Sequence, residues 1–159
     1  MKRLTIIRMA SLAITMFMAA QAWAFTGTVQ RVHDGDTVTV DGVRVRLFGI
    51  DAPELAQPGG QEARRYLASL VQDRAVDVVS KDQDAYGRDV AVLLLLPGRQ
   101  DVNAAMVKAG HAWVYRQYCR DCTALKMSET WARLRGVGLW ADPAPVAPWV
   151  WRHKHRRTP

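Results

Sequence analysis

The chain has 159 residues, 49% of them hydrophobic, which allows one domain with a respectable core and excludes two. Its 22 Lys and Arg outnumber its 15 Asp and Glu, a formal charge of +7. A basic balance suits a polyanionic partner, nucleic acid or an anionic surface, without choosing between them.

The first 24 residues read as a leader. Lys2, Arg3 and Arg8 give a basic start, "MASLAITMFMAA" is a twelve-residue apolar run, and "AWA" at 22–24 offers a small-x-small cleavage site. A spanning helix needs roughly 18–20 apolar residues, so a secretory signal cut after Ala24 is preferred to an uncleaved anchor. That places the protein in the periplasm or the medium. Three of the 22 cations and none of the 15 acids lie in the leader, which leaves about +4 on the rest.

From Thr26 to Ile50, "TGTVQRVHDGDTVTVDGVRVRLFGI" alternates apolar and polar residues as strands do. Asp41-Gly42 divides "VTVDGVRV" into two runs, a strong two-residue hairpin signal. The turn sets Val40 opposite Val43, Val38 opposite Val45 and Thr37 opposite Arg46. It therefore brings "DGD" at 34–36 beside Arg46, where Asp36, Arg46 and Asp51 can converge.

"GGQEARRYLASLVQD" predicts a helix with Ala63, Tyr66, Leu67 and Leu70 on one stripe. "AVDVVS" at 75–80 reads as a short strand, and "RDVAVLLLL" at 88–96, between "YG" and "PG", as a buried one. "DVNAAMVKAG" offers Asp101 as N-cap and Gly110 as stop, and "LKMSETWARLRG" is a longer helix ending at Gly136. The end, "ADPAPVAPWVWRHKHRRTP", is proline-punctuated, then basic and aromatic. The division expected is a leader at 1–24, one domain at 25–142 and a tail at 143–159. Five or so short strands with few helices make an α+β protein built on a small curled barrel.

Carboxylates near a core need partners. "HDGDT" alone is an ordinary turn composition, and "DAPE" alone a strand end with a Pro-led turn. Brought together, Asp34, Asp36, Asp51 and Glu54 call for a hard divalent cation, Ca²⁺ before Mg²⁺; His33 would suit a softer metal. Arg46 and Arg88 either pair with these carboxylates or grip a phosphate. Cations, carboxylates and a spare glutamate that accepts a proton from water make a phosphodiester hydrolysis site. Cys119 and Cys122 in "YCRDCT" leave a local disulfide, free thiols and a redox pair open; zinc or haem attachment lacks the further residues it needs.

"HDGDTVTV", "RLFGIDAPE" and "DAYGRDVAVL", followed by "VNAAMVKAGHAWVY" and "GLW", closely resemble the staphylococcal nuclease (thermonuclease) family from about Gly27 to Trp140. The resemblance implies a five-stranded oligonucleotide-binding (OB) barrel with three helices. It also implies Ca²⁺-dependent cleavage of DNA and RNA at the 5′ side of the phosphodiester, leaving 3′-phosphates, with little sequence preference. By position, Asp36, Asp51 and the Ala52 carbonyl resemble the metal ligands, Ala52 standing where the family pattern has Thr. Glu54 resembles the group that activates water. Arg46 and Arg88 resemble the pair that neutralises charge on phosphorus.

Tyr86, Trp113 and Tyr115 resemble nucleic-acid-binding positions, although Trp113 also suits the core. Ala85 replaces a lysine of the family pattern, and a Cys119–Cys122 bridge would stiffen the nucleotide pocket. Single-stranded substrates and a monomeric protein without a stable protein partner complete the expectation. A non-catalytic OB module and a redox protein centred on the cysteines are the rivals. In the tail, Trp149 and Trp151 interleave with cations as in single-strand binders; otherwise the tryptophans pack back on the barrel. Truncation after Pro148 should weaken nucleic-acid binding and flatten its salt dependence, measured by titration at several ionic strengths.

Overall fold

Strict alternation from Thr37 to Leu47 produces the expected hairpin. Strands β2 (Thr37–Val40) and β3 (Val43–Leu47) pair antiparallel with Thr37 opposite Arg46, Val38 opposite Val45 and Val40 opposite Val43. Asp41 and Gly42 both take positive φ, 43° and 83°, as a turn matching the strand twist requires. The computed structural model describes residues 23–155, so residues 1–22 of the expected leader lie outside the described residues.

The remaining elements are β1 (Ala24–Val32), β4 (Ile50–Asp51), α1 (Gly60–Val71), β5 (Ala75–Gln83), β6 (Asp89–Leu95) and β7 (Gln100–Asp101). There follow α2 (Val102–Lys108), β8 (Trp113–Val114), α3 (Thr123–Arg135), a 3₁₀ turn (Gly138–Ala141) and α4 (Pro148–His155). The strand order is β3-β2-β1-β5-β6-β7, and a parallel pairing of β3 with β6 closes the first five into a barrel. The protein is thus α+β with an OB-like barrel, as the pattern predicts. Closure leaves β3 and β6 without free edges toward one another, which removes an exposed pairing template.

Inward positions of the barrel strands carry Val29, Val38, Val45, Leu47, Val78 and Leu93, all essentially inaccessible to solvent. Ala63, Leu67 and Val71, one helical turn apart on α1, cover one end of this core. Asp101 caps α2, its carboxylate accepting from the Ala104 N–H at 2.8 Å, and Gly136 ends α3 with φ 61°. The fourth helix lies where the sequence reads as a tail. Pro148 occupies its first position, where a missing N–H costs nothing. Among the described residues no helix is long and apolar enough to cross a membrane.

Asn103 of α2 ties these layers together. Its carboxamide oxygen accepts from the Leu93 N–H (3.1 Å), while its nitrogen donates to the carbonyls of Phe48 (2.9 Å) and Ala91 (3.2 Å). One buried side chain therefore satisfies three backbone groups at the β3–β6 seam. Asn103→Ala should lower unfolding free energy by about 3 kcal/mol in urea titration, because the Leu93 N–H and the Phe48 carbonyl lose this partner, while the Ala91 carbonyl keeps the Phe48 N–H.

Candidate active site

The hairpin register delivers the first part of the site. Asp36 immediately precedes β2, and its carboxylate is almost wholly buried. Its Oδ1 accepts from the Thr37 hydroxyl (3.0 Å) and from Arg46 Nη1 (2.6 Å), and its Oδ2 accepts from the Ala52 N–H (3.0 Å). Arg46, opposite Thr37 across the hairpin, uses its other nitrogen on Asp51 Oδ1 at 3.0 Å. A single guanidinium thus joins two carboxylates distant in the chain.

Asp51 is inaccessible to solvent and sits on β4, which pairs with β8 so that Asp51 lies opposite Trp113. Glu54 follows on a turn closed by its carbonyl accepting from the Gln57 N–H at 2.8 Å. Gly60 starts α1 directly against this turn; a Cβ there would stand 1.9 Å from the Glu54 carbonyl oxygen. Only glycine permits that approach.

Arg88 arrives from the β5–β6 loop. Asp84 shapes that loop by accepting from the backbone N–H groups of Tyr86 (2.9 Å) and Arg88 (3.0 Å), and from Arg88 Nε (2.7 Å). These bonds hold the Asp84 carboxyl below the usual range although its burial acts the other way. Tyr86 is 83% exposed at the loop tip, with the Arg88 guanidinium 5.6 Å from its ring centroid.

One open groove of about 850 Å³ is lined by Asp36, Arg46, Glu54, Arg88, Tyr115 and Arg152 among others, with Asp51 buried behind Arg46 and Arg152. Ala52 and Tyr86 also line it, as does Ala85. Trp113 does not. It packs in an aromatic cluster with Trp140 (4.3 Å between centroids) and Trp149 (5.6 Å), with Arg133 stacked over both Trp113 and Trp140. His33 lies apart from the groove and bonds the Thr39 hydroxyl at 2.8 Å; burial first, then Arg44 and Arg31, lower its pKa.

Cys119 and Cys122 are bonded to each other, with Cα atoms 5.3 Å apart. Cys119 is buried against Gly49, where a Cβ would meet its Sγ at 2.6 Å. The bridge therefore packs under the turn that leads into Asp51.

One groove residue, Arg152, escapes the motif-based reading, and Trp149 takes the alternative of packing back on the barrel. Arg152 of α4 places Nη2 on Asp51 Oδ2 (2.7 Å) and Nη1 on Asp51 Oδ1 (3.1 Å) and Glu54 Oε1 (2.8 Å). Trp149, one helical turn earlier, stacks on Tyr115 at 5.7 Å and 24°. The i, i+3 spacing of Trp149 and Arg152 behind Pro148 is the signal available for them, an anchor and a cation on one helix face.

Among the described residues no three His, Cys, Asp or Glu side chains form a ready-made metal cage. The donors present are nevertheless of the right kind. Asp36 and Asp51 are buried carboxylates with carbonyl-bearing backbone beside them at Ala52, all hard oxygens such as Ca²⁺ or Mg²⁺ takes. Burial pushes the Asp36 carboxyl up to about 6, with Asp34 adding to the rise and Arg46 opposing it. A buried carboxylate that holds its charge so poorly fits a place for a cation.

A family model described as "Staphylococcal nuclease homologue" matches residues 44–142, a span that includes Arg46, Asp51, Ala52, Glu54 and Arg88. A "Micrococcal nuclease" of Shigella flexneri is 41% identical over 162 residues, covering 94% of this chain and 93% of the relative. An "Uncharacterized endonuclease" of Haemophilus influenzae is 37% identical over 150 residues, 91% of this chain and 83% of its own length. Another of that description, from Escherichia coli, is 43% identical over 132 residues, 80% of this chain and 85% of its own.

The raised Asp36 pKa sets a sign for stability. Between the ordinary carboxyl value of 3.8 and about 6 the folded protein binds a proton that the unfolded chain releases. Metal-free protein should therefore lose on the order of 2 kcal/mol from this group as pH rises from 4 to 6, and little more above about pH 7. Urea unfolding at stepped pH checks it, with Asp36→Ala removing this part of the slope.

Proposed function

We propose, on the premise that the chain belongs to the family of staphylococcal nuclease homologues, that it is an exported, Ca²⁺-dependent endonuclease. It hydrolyses phosphodiester bonds of DNA and RNA with low sequence specificity and leaves 3′-phosphates. Single-stranded substrate is preferred, and the protein acts as a monomer. The observation that carries this reading is the meeting of Asp36, Arg46, Glu54 and Arg88 on one groove of a barrel, with buried Asp51 joined to them through Arg46.

Asp36 and Asp51, with the Ala52 carbonyl, would hold the cation. When bound, Ca²⁺ supplies Lewis acidity at a phosphoryl oxygen and offsets charge that builds there. Mg²⁺ demands stricter octahedral geometry and fits a site of side-chain and backbone oxygens less well. Glu54, with its side chain 44% exposed at the groove wall, accepts the proton of the attacking water. The water oxygen forms a bond to phosphorus, the P–O5′ bond breaks, and the departing 5′ oxygen takes up a proton from solvent.

Arg46, from β3, and Arg88, from the β5–β6 loop, donate to the non-bridging oxygens of the reacting phosphate as negative charge accumulates. Both are already oriented by carboxylates, Arg46 by Asp36 and Asp51 and Arg88 by Asp84, so little ordering remains to be done. Exposed Tyr86 and the Tyr115 ring at the groove offer faces on which bases stack without sequence preference.

Export rests on the basic-apolar-small pattern of residues 1–24. Cleavage after Ala24 would remove only the first residue of β1, and a bonded Cys119–Cys122 pair suits an oxidising compartment. Residues 25–142 would then form the nuclease domain and 143–159 its appended segment.

Purified mature protein should cut single-stranded DNA with Ca²⁺ and lose activity in chelator. Glu54→Gln should lower kcat about 10²- to 10³-fold while DNA binding persists, measured by gel digestion and anisotropy. Binding without cutting under any cation would support the non-catalytic OB module instead. Ca²⁺ affinity should also fall as pH drops below about 6, where Asp36 takes up its proton.

A further inference from the structure

We infer that α4 is a latch closed over the candidate cation site, with Arg152 holding the carboxylates that the cation must take. The inference rests on the reading of Asp51 as a metal ligand and Glu54 as the general base. Asp51 is buried completely, and both of its oxygens accept from Arg152; Oδ1 accepts from Arg46 as well. Glu54 gives an oxygen to the same guanidinium. A fork-shaped cation so engaged excludes a divalent ion from Asp51 both by position and by charge.

The latch is attached on two sides. Trp149 stacks on Tyr115 and meets Trp113 edge-on, and the Gln57 side chain donates to the Val146 carbonyl at 2.6 Å. Gln57 belongs to the Glu54 turn, so the segment entering α4 and the candidate base share one anchor. Hydrogen bonds to Asp51 and Glu54 raise the Arg152 pKa against its partial burial, so the guanidinium stays charged at any working pH. Side-chain exposures of 30% for Arg152 and 44% for Glu54 leave the contact open to solvent and salt, as a releasable contact must be.

The exchange improves the local charge balance, from one net negative to none once a divalent cation replaces Arg152. Asp36, Asp51 and Glu54 carry three formal negatives, and Arg46 and Arg152 answer two of them. When a divalent cation takes the carboxylates, Arg152 and the neighbouring His153, which also lines the groove, are free for phosphate oxygens. Cation and polyanion therefore favour the same open state, and each strengthens binding of the other.

Calorimetric titration of Ca²⁺ into the full mature protein, beside Arg152→Gln and Arg152→Lys, tests this. Arg152→Gln should bind Ca²⁺ about tenfold more tightly than the parent, with Arg152→Lys between them, because lysine cannot engage both carboxylates with a fork. Addition of oligothymidylate to Glu54→Gln should tighten Ca²⁺ binding further. Equal or weaker Ca²⁺ binding by Arg152→Gln, with the parent binding normally, would overturn the latch alone. Absence of Ca²⁺ uptake by every variant would overturn the cation reading and the latch with it.

Discussion

The Arg46 guanidinium, held between Asp36 and Asp51, is the contact on which the rest of the site depends. It spans the end of the β2–β3 hairpin and the short β4 strand, which also meet through the Ala52 N–H donated to Asp36. Its position follows from hairpin register, since a slip of one residue would send Arg46 to the opposite face. The barrel fixes that register twice, once through the Asp41-Gly42 turn and again through the parallel pairing of Arg46 with Val90. Backbone geometry, rather than the ion pairs, therefore decides where the charges stand.

Those charges are poorly matched to a closed, metal-free protein. Two carboxylates lie buried, and desolvation raises one of them despite an arginine at 2.6 Å. Removing either partner from such a cluster leaves an uncompensated charge, which costs more than the pair contributes. The tension is the kind expected where a binding site is held ready at the expense of stability. It also accounts for the second guanidinium, reaching in from residue 152 to neutralise what Arg46 alone does not.

Much of this was legible in the sequence because it is local. The hairpin, its register and the meeting of Asp36, Arg46 and Asp51 follow from period-two alternation around an Asp-Gly turn. Asp101 and Gly136 mark helix ends by their own chemistry. What escaped is what depends on distant docking. Residues 148–155 read as a tail, since proline, tryptophan and four nearby cations give no apolar stripe; their helix is set by Trp149 finding Tyr115 and Arg152 finding Asp51. Asn103 looked like one polar residue in a short helix, though it satisfies three backbone groups of the barrel. Trp113 sits in a motif two residues before Tyr115 and both rings touch Trp149, but Trp113 packs on Trp140 and only Tyr115 lines the groove.

The parallel seam between β3 and β6 has a kinetic side. Val45, Arg46 and Leu47 pair with Asp89, Val90 and Ala91, partners from the far side of a helix and a long strand. Contacts of such separation carry a large loop-closure entropy and form late relative to hairpins and single helices. The acidic segment and Arg46 are thus synthesised early and aligned with Arg88 late, in the step that shuts the barrel. A partly folded chain has the residues of the site without their arrangement, so competence arrives as a single cooperative event and is lost the same way.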